Sequence, residues 1–209
     1  GEFVPAAEDT GFILPLGHWV LASACRQLQE WRHTPALARL RLAVNVSALQ
    51  LQQPEFVPEL LGLLARSGAD PRLLTLELTE SVLLEDTEEA TAKMQALAAA
   101  GIRFSLDDFG TGWSSLSYLR RMPLSELKID RAFTAEVVRD ADAASITRNL
   151  LQLGHDLGID VIAEGIESPE QHHYLREQGC RLFQGYLFGR PMPVEAFERL
   201  ALQEPAAPA

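Results

Sequence analysis

Six short runs of strand-forming residues recur along this chain, and a stretch of helical periodicity separates nearly every one from the next. The strand-like runs are Arg41 to Val46, Leu73 to Leu78, Ile102 to Asp107, Glu126 to Asp130, Ile159 to Glu164 and Arg181 to Gln184. Helical patterns cover Ile13 to Trp31, Pro54 to Ser67, Thr87 to Ala99, Ser114 to Arg120, Asp142 to Leu157 and Pro169 to Glu177. Gly68, Gly101, Gly158 and Gly179 follow four of these, where a left-handed residue ends a helix. Such alternation calls for a parallel sheet, since parallel neighbours need a long crossover and a helix is the compact way to make it.

Strand parity narrows the choice of sheet. Leu74, Leu76 and Leu78 fall on one face, Thr75 and Glu77 on the other; Leu127 and Ile129 oppose Glu126, Lys128 and Asp130. Val44 and Val46 oppose Ala43, Asn45 and Ser47; Phe104 and Leu106 oppose Ser105 and Asp107; Val161 and Ala163 oppose Ile162 and Glu164. An open doubly wound sheet buries both faces and reads as nearly continuous apolar strands. One apolar face beneath helices, with the other turning polar at the carboxyl ends, is what a closed (β/α) barrel of the TIM type requires.

Composition sets bounds on partners. The 209 residues carry a formal charge of −11, which argues against DNA or RNA as a general partner because counterion replacement needs a basic face. A small anionic ligand remains compatible, since bound divalent metals reverse the local field of an acidic cleft. The most apolar stretch, Phe12 to Cys25, is interrupted by Pro15 and His18 and is too short to cross a bilayer, and no signal peptide is visible. Cys25 and Cys180 have no zinc-type spacing, so reduced thiols and a cytoplasmic location are expected, with a membrane anchor elsewhere in a parent protein still allowed. The Pro- and Ala-rich end, 204 to 209, reads as a frayed tail after a domain spanning 1 to 203.

Five of the strand runs end in oxygen or ammonium groups: Asn45, Glu77, the pair Asp107 and Asp108, Lys128 with Asp130, and Glu164. Taken singly each has an ordinary explanation. Asp107 could cap a helix, Asn45 and Ser47 could make a turn, Lys128 could be an exposed strand lysine, and Glu164 before Gly165 could open a turn. Taken together, such groups at successive strand ends describe a rim able to hold hard divalent cations, which want oxygen donors without His or Cys. The histidines do not compete. Adjacent His172 and His173 diverge by roughly 100° on a helix and cannot share an ion, while His18, His33 and His155 fit helix surfaces. Ser114 and Ser115 lack a partnered His and look like a helix start.

The segments Asn45-Val46-Ser47, Leu76-Glu77-Leu78-Thr79-Glu80, Asp107-Asp108-Phe109-Gly110-Thr111-Gly112, Lys128-Ile129-Asp130, Ala163-Glu164-Gly165-Ile166-Glu167 and Gln184-Gly185-Tyr186 resemble, in order and spacing, the EAL domain family. The likeness runs from Glu2 to about Pro193. It implies a TIM-barrel-like phosphodiesterase in bacterial second-messenger signalling and biofilm regulation, linearising cyclic di-GMP to 5′-pGpG with two Mg²⁺ or Mn²⁺ ions, calcium being inhibitory. By the resemblance Asn45, Glu77 and Asp107 hold one ion and Asp107, Asp108 and Glu164 the other. Lys128 would contact the nucleophilic water, and Glu164 is also a candidate base. Gly110, Thr111 and Gly112 form a loop that in the family couples metal binding to homodimerisation, with Glu80 as its anchor. Trp113 stands where the family usually has another aromatic. Asp130, Glu167 and Gln184 fall on the substrate side or behind the ligands.

Six strands are countable where such a barrel has eight. The family's first two strands, with the Glu-Ala-Leu signature and a nearby phosphate-contacting Arg, are expected before Gly1, so the chain reads as a partial domain that can itself be inactive. Sensory or GGDEF domains are expected upstream in the parent. The alternative is a cyclic di-GMP receptor that does not cleave, or a dimerising scaffold. A third class, an acidic-rim barrel enzyme enolising a carboxylate, also fits the rim but not the motifs.

Overall fold

In this computed structural model residues 3–80, 87–110 and 119–203 are described. Thr111, Gly112, Trp113 and the Ser114 to Arg120 helical pattern's first residues lie outside them, as does the 204–209 tail. Six strands follow the chain in sheet order: β1 (Leu42–Asn45), β2 (Leu74–Thr79), β3 (Arg103–Phe109), β4 (Glu126–Ile129), β5 (Asp160–Ala163) and β6 (Leu182–Phe183). The β3–β4, β4–β5 and β5–β6 pairs are parallel, and helices span the crossovers after β4 and β5, the connectivity of a (β/α) barrel. Among the described residues no helix is long and apolar enough to cross a membrane.

The chain gathers into two compact units. The first comprises Gly1–Leu76, Ala96–Arg103 and Pro191–Ala209. Its organising element is α2 (Ile13–Trp31), preceded by α1 (Phe3–Asp9); α2 buries Ile13, Gly17, Leu21, Ala24, Cys25, Leu28 and Trp31, a stripe at helical spacing. This stripe meets α4 (Phe56–Ser67), whose Phe56, Leu60 and Leu64 recur every four residues on its own buried face. Burial of each such side chain contributes about 1.5–3 kcal/mol. Between them α3 (Ala48–Gln52) starts at a capping box, with Ser47 and Gln50 satisfying each other's backbone N–H. Helix α4 stops at Gly68, with φ of 70°. The sequence pattern missed α1, α3 and the last helix, whose first residue is Val194. Trp31 anchors that last helix: its Nε1 donates to Glu198 Oε1 at 2.7 Å and its ring lies 5.7 Å from that of Phe197.

The second unit comprises Glu77–Gln95 and Phe104–Arg190. After β4 come a four-residue helix, α6 (Arg131–Thr134), and α7 (Ala141–Leu157); α8 (Pro169–Glu177) follows β5, and α5 (Thr87–Ala99) precedes β3. The last helix is thus α9 (Val194–Gln203). Val137, Ala144, Ala163, Ile166, Leu175 and Cys180 form a buried cluster that joins α7 and α8 to β5. Strand β4 is buried along its whole length, Glu126 and Lys128 included, so the polar face expected from parity is as enclosed as the apolar one. The surface-lysine explanation of Lys128 fails.

Candidate metal centre

Lys128 is 3% exposed in the middle of a buried strand. An ammonium there costs several kcal/mol unless it is compensated. Three carboxylates supply the compensation: Glu77 Oε1 at 3.1 Å, Asp107 Oδ1 at 3.1 Å and Glu164 Oε1 at 2.7 Å from Nζ. They come from the carboxyl halves of β2 and β3 and from the residue after β5, so three strands on which these residues are far apart in sequence deliver them to one point. Burial by itself would depress the Lys128 ammonium. The hydrogen bond to Glu164 and the charges of Glu77, Asp107 and Glu164 outweigh it and hold Lys128 above the ordinary lysine range. Lys128 therefore stays a cation at neutral pH and can donate to an oxygen but not act as a base.

The acids feel the reverse balance. Burial pushes Glu77 up, against the opposing pull of Lys128, and does the same to Glu164. One ammonium cannot neutralise three carboxylates, and a fourth lies alongside. Asp107, Asp108 and Glu164 each offer an oxygen, and those oxygens all fall within 4.8 Å of one another. Oxygens bound to a single hard divalent ion, each roughly 2.0–2.6 Å from it, stand at most about 5 Å apart. Donor type, spacing and uncompensated negative charge all suit such an ion.

Consecutive residues of a regular strand point to opposite faces, so Asp107 and Asp108 should not converge. They do because the ladder slips here. Leu106 pairs with Leu127 but Phe109 with Ile129, leaving one extra residue on β3, and Asp108 takes a φ of 54°, the one positive value found at a non-glycine among the described residues. The Asp108 N–H donates to Asp107 Oδ1 at 3.0 Å. Short polar Asp tolerates this left-handed backbone better than most residues. Although the residue is exposed, desolvation raises the Asp108 carboxyl first, followed by the charge of Asp107 and a hydrogen bond shared with Asp130.

The other expected site residues fall in three places. Asp130 caps α6, accepting the Ala132 N–H at 2.7 Å, and shares a hydrogen bond with Asp108. Glu167 and Gln184 are exposed and outside the carboxylate group: Glu167 Oε1 pairs with Arg131 at 3.0 Å, and Gln184 is held by backbone bonds to Ala163 and Ile166. Glu80 is buried just past β2, and Gly110 takes a φ of 99° with Phe133 packed where a Cβ would go. Their expected loop partners Thr111 and Gly112 lie outside the described residues. Asn45 closes β1 in the first unit. His172 packs edge-on against Phe183, and His173 Nε2 lies 3.4 Å from Glu177 Oε1. Sequence reasoning overlooked Arg131 and Thr134, both on the short helix; its one local signal is Asp130, a favoured N-cap residue.

The EAL domain family model matches residues 1–191. The bifunctional diguanylate cyclase/cyclic di-GMP phosphodiesterase MucR of Pseudomonas aeruginosa is 44% identical over 195 residues, covering 93% of this chain and 28% of that protein. A structure described as the MucR phosphodiesterase in complex with c-di-GMP superposes with a TM-score of 0.90 over 94% of this chain and 79% of its own, at 44% identity. A manganese/c-di-GMP complex of Klebsiella pneumoniae BlrP1 superposes with a TM-score of 0.72 at 29% identity, covering 83% of this chain and 45% of that one. The chain spans about a quarter of the length of the curated relatives it matches, 28% and 26% in two cases.

Proposed function

The chain belongs to the EAL domain family, and on that premise we propose that it is a divalent-metal-dependent phosphodiesterase domain that opens cyclic di-GMP to 5′-pGpG. The observation that carries this reading is the convergence of Asp107, Asp108 and Glu164 beside a buried Lys128 that all but one of them touches. Asp107, Asp108 and Glu164 would hold one Mg²⁺ or Mn²⁺, and Glu77 with Asp107 would serve a second. When bound, such ions neutralise the non-bridging phosphate oxygens and activate water for in-line attack.

The chain's own residues then have defined tasks. The Lys128 ammonium, whose three N–H groups face three carboxylates, would turn one of them to the attacking water or to a phosphate oxygen once a bound cation draws a carboxylate away. Glu164 can accept the proton that this water loses as its oxygen bonds to phosphorus and the P–O3′ bond breaks, the departing O3′ taking a proton from solvent. Asp130 keeps Asp108 in place. Glu167 and Gln184, both exposed, would be available to the nucleotide. Further parts of this proposal are homodimerisation through the loop after Gly110, inhibition by Ca²⁺, a cytoplasmic setting, which the free buried Cys25 and Cys180 suit, and sensory or GGDEF domains in a parent chain.

Incubating the purified chain with cyclic di-GMP and Mn²⁺, and resolving products by chromatography, tests the reading. 5′-pGpG should accumulate with the wild type and not with Glu164→Gln. Tight binding of cyclic di-GMP with no product in either protein would make the chain a receptor instead.

A further inference from the structure

Helix α6 is only one turn long, yet it is tied to both strand ends that flank it. At its start, Asp130 caps the turn and shares a hydrogen bond with Asp108. At its last residue, Thr134 is completely buried, and its hydroxyl donates to the backbone carbonyl of Glu164, with the Arg131 carbonyl at 3.4 Å as a weaker second acceptor. Arg131 lays its aliphatic stem over Gly165, so closely that a Cβ there would stand 2.5 Å from Arg131 Cγ, and its guanidinium reaches Glu167 at 3.0 Å. Gln171, from the capping box of α8, donates Nε2 to the Ala135 carbonyl at 2.9 Å. The segment Glu164 to Gln171 is thereby stitched to α6.

We propose that Thr134 is a positioning residue for Glu164 and, through it, sets the affinity of the centre for a divalent cation. The Glu164 N–H is already fixed on the Ile129 carbonyl at 3.2 Å. With its own carbonyl held by Thr134, the peptides on both sides of Glu164 are pinned, and the carboxylate leaves the backbone in the one direction that meets Lys128, Asp107 and Asp108. A buried hydroxyl with an apolar fate would be better replaced by valine, which fills the same volume; the bond to Glu164 is what the oxygen contributes. Removing a group that orients a metal ligand typically costs about 10–100-fold in metal affinity.

The inference rests on the phosphodiesterase reading for its consequence, but its measurement is metal binding. Mn²⁺ is titrated calorimetrically into the wild type, Thr134→Val and Thr134→Ser, with thermal unfolding in EDTA as the check on folding, and turnover of cyclic di-GMP is followed against Mn²⁺ concentration. Thr134→Val should weaken Mn²⁺ binding on the order of tenfold. The Mn²⁺ needed for half-maximal turnover should rise in parallel while the rate at saturation changes little, and Thr134→Ser should recover wild-type binding. Thr134→Ala replaces the valine variant if valine does not fold. A folded valine or alanine variant with wild-type affinity, or a serine variant as weak as either, overturns the proposal. A wild type that binds Mn²⁺ without forming 5′-pGpG overturns the phosphodiesterase reading alone and leaves the affinity comparison decisive.

Discussion

Lys128 and Arg72 each hold a carboxylate at 2.7 Å, Glu164 in one case and Asp70 in the other, yet the two pairs do different work. The Lys128 side chain is 4% exposed and the Arg72 side chain 79%. Opposite charges 4 Å apart attract by about 4 kcal/mol at an effective dielectric of about 20 but by only about 1 kcal/mol in water. Around Lys128 that strength is matched by desolvation and by mutual repulsion of the acids, so the cluster keeps negative charge that its single ammonium does not cancel. Around Asp70 the pair trims a turn: Asp70 also accepts the Arg72 N–H at 3.0 Å and caps the 3-10 helix ahead of β2. Equal distances thus mark a buried charge cluster in one region and a local fastening in the other, and burial decides which.

The sharpest way to break this contrast is Lys128→Met. Removing the ammonium leaves its carboxylates buried against one another, and unfolding by denaturant in EDTA should show a loss of about 3–5 kcal/mol. Glu77 and Glu164 would then lose the partner that restrains their upward shift. A carboxyl whose folded pKa lies above its unfolded value costs stability as pH rises through that window. The deficit should therefore be larger at pH 8 than at pH 5, and a deficit flat across that range would count against the charge explanation.

Next in size is the cation. Mn²⁺ at a hundred times its dissociation constant should stabilise the wild type by about 2.7 kcal/mol, seen as a raised melting temperature that EDTA reverses. Asp108→Asn should act oppositely in the two assays. It relieves repulsion with Asp107, so the metal-free chain should gain about 0.5–1 kcal/mol, while Mn²⁺ stabilisation and turnover fall sharply. The smallest effect belongs to the exposed pair. Asp70→Asn keeps a capping oxygen and should move the melting temperature by no more than about 1 °C. Hydrogen bonding to Arg72 depresses the Asp70 carboxyl, so its contribution is present above the usual Asp range and is lost as pH falls through the depressed value. The two proteins should melt together near pH 2.

Long elements with strong periodicity were legible in the sequence: α2, α4, α5, α7 and α8 lie where apolar spacing puts them, and the strands agree to within two residues at each end. Short elements were not. Helices α3 and α6 have one turn each, too few residues for a period to register, and α9 is held by Trp31 from more than 160 residues away. The carboxylates were visible one by one, as polar groups ending apolar runs. Arg131 and Thr134 were not, because nothing local distinguishes a threonine that will donate to a distant carbonyl from one that satisfies its own helix.

By itself the amino-acid order fixes the alternation of strand and helix, hence a parallel sheet with every strand running the same way, and it places an acid, amide or lysine at the carboxyl end of most of them. That follows from local propensity and period, which any short window carries. Tertiary structure alone decided that Lys128 is enclosed, that a slipped register turns Asp107 and Asp108 to the same side, and that Glu164 is pinned from both sides of its backbone. Those outcomes depend on neighbours brought together by packing, and the dielectric around a charge is a property of everything that surrounds it.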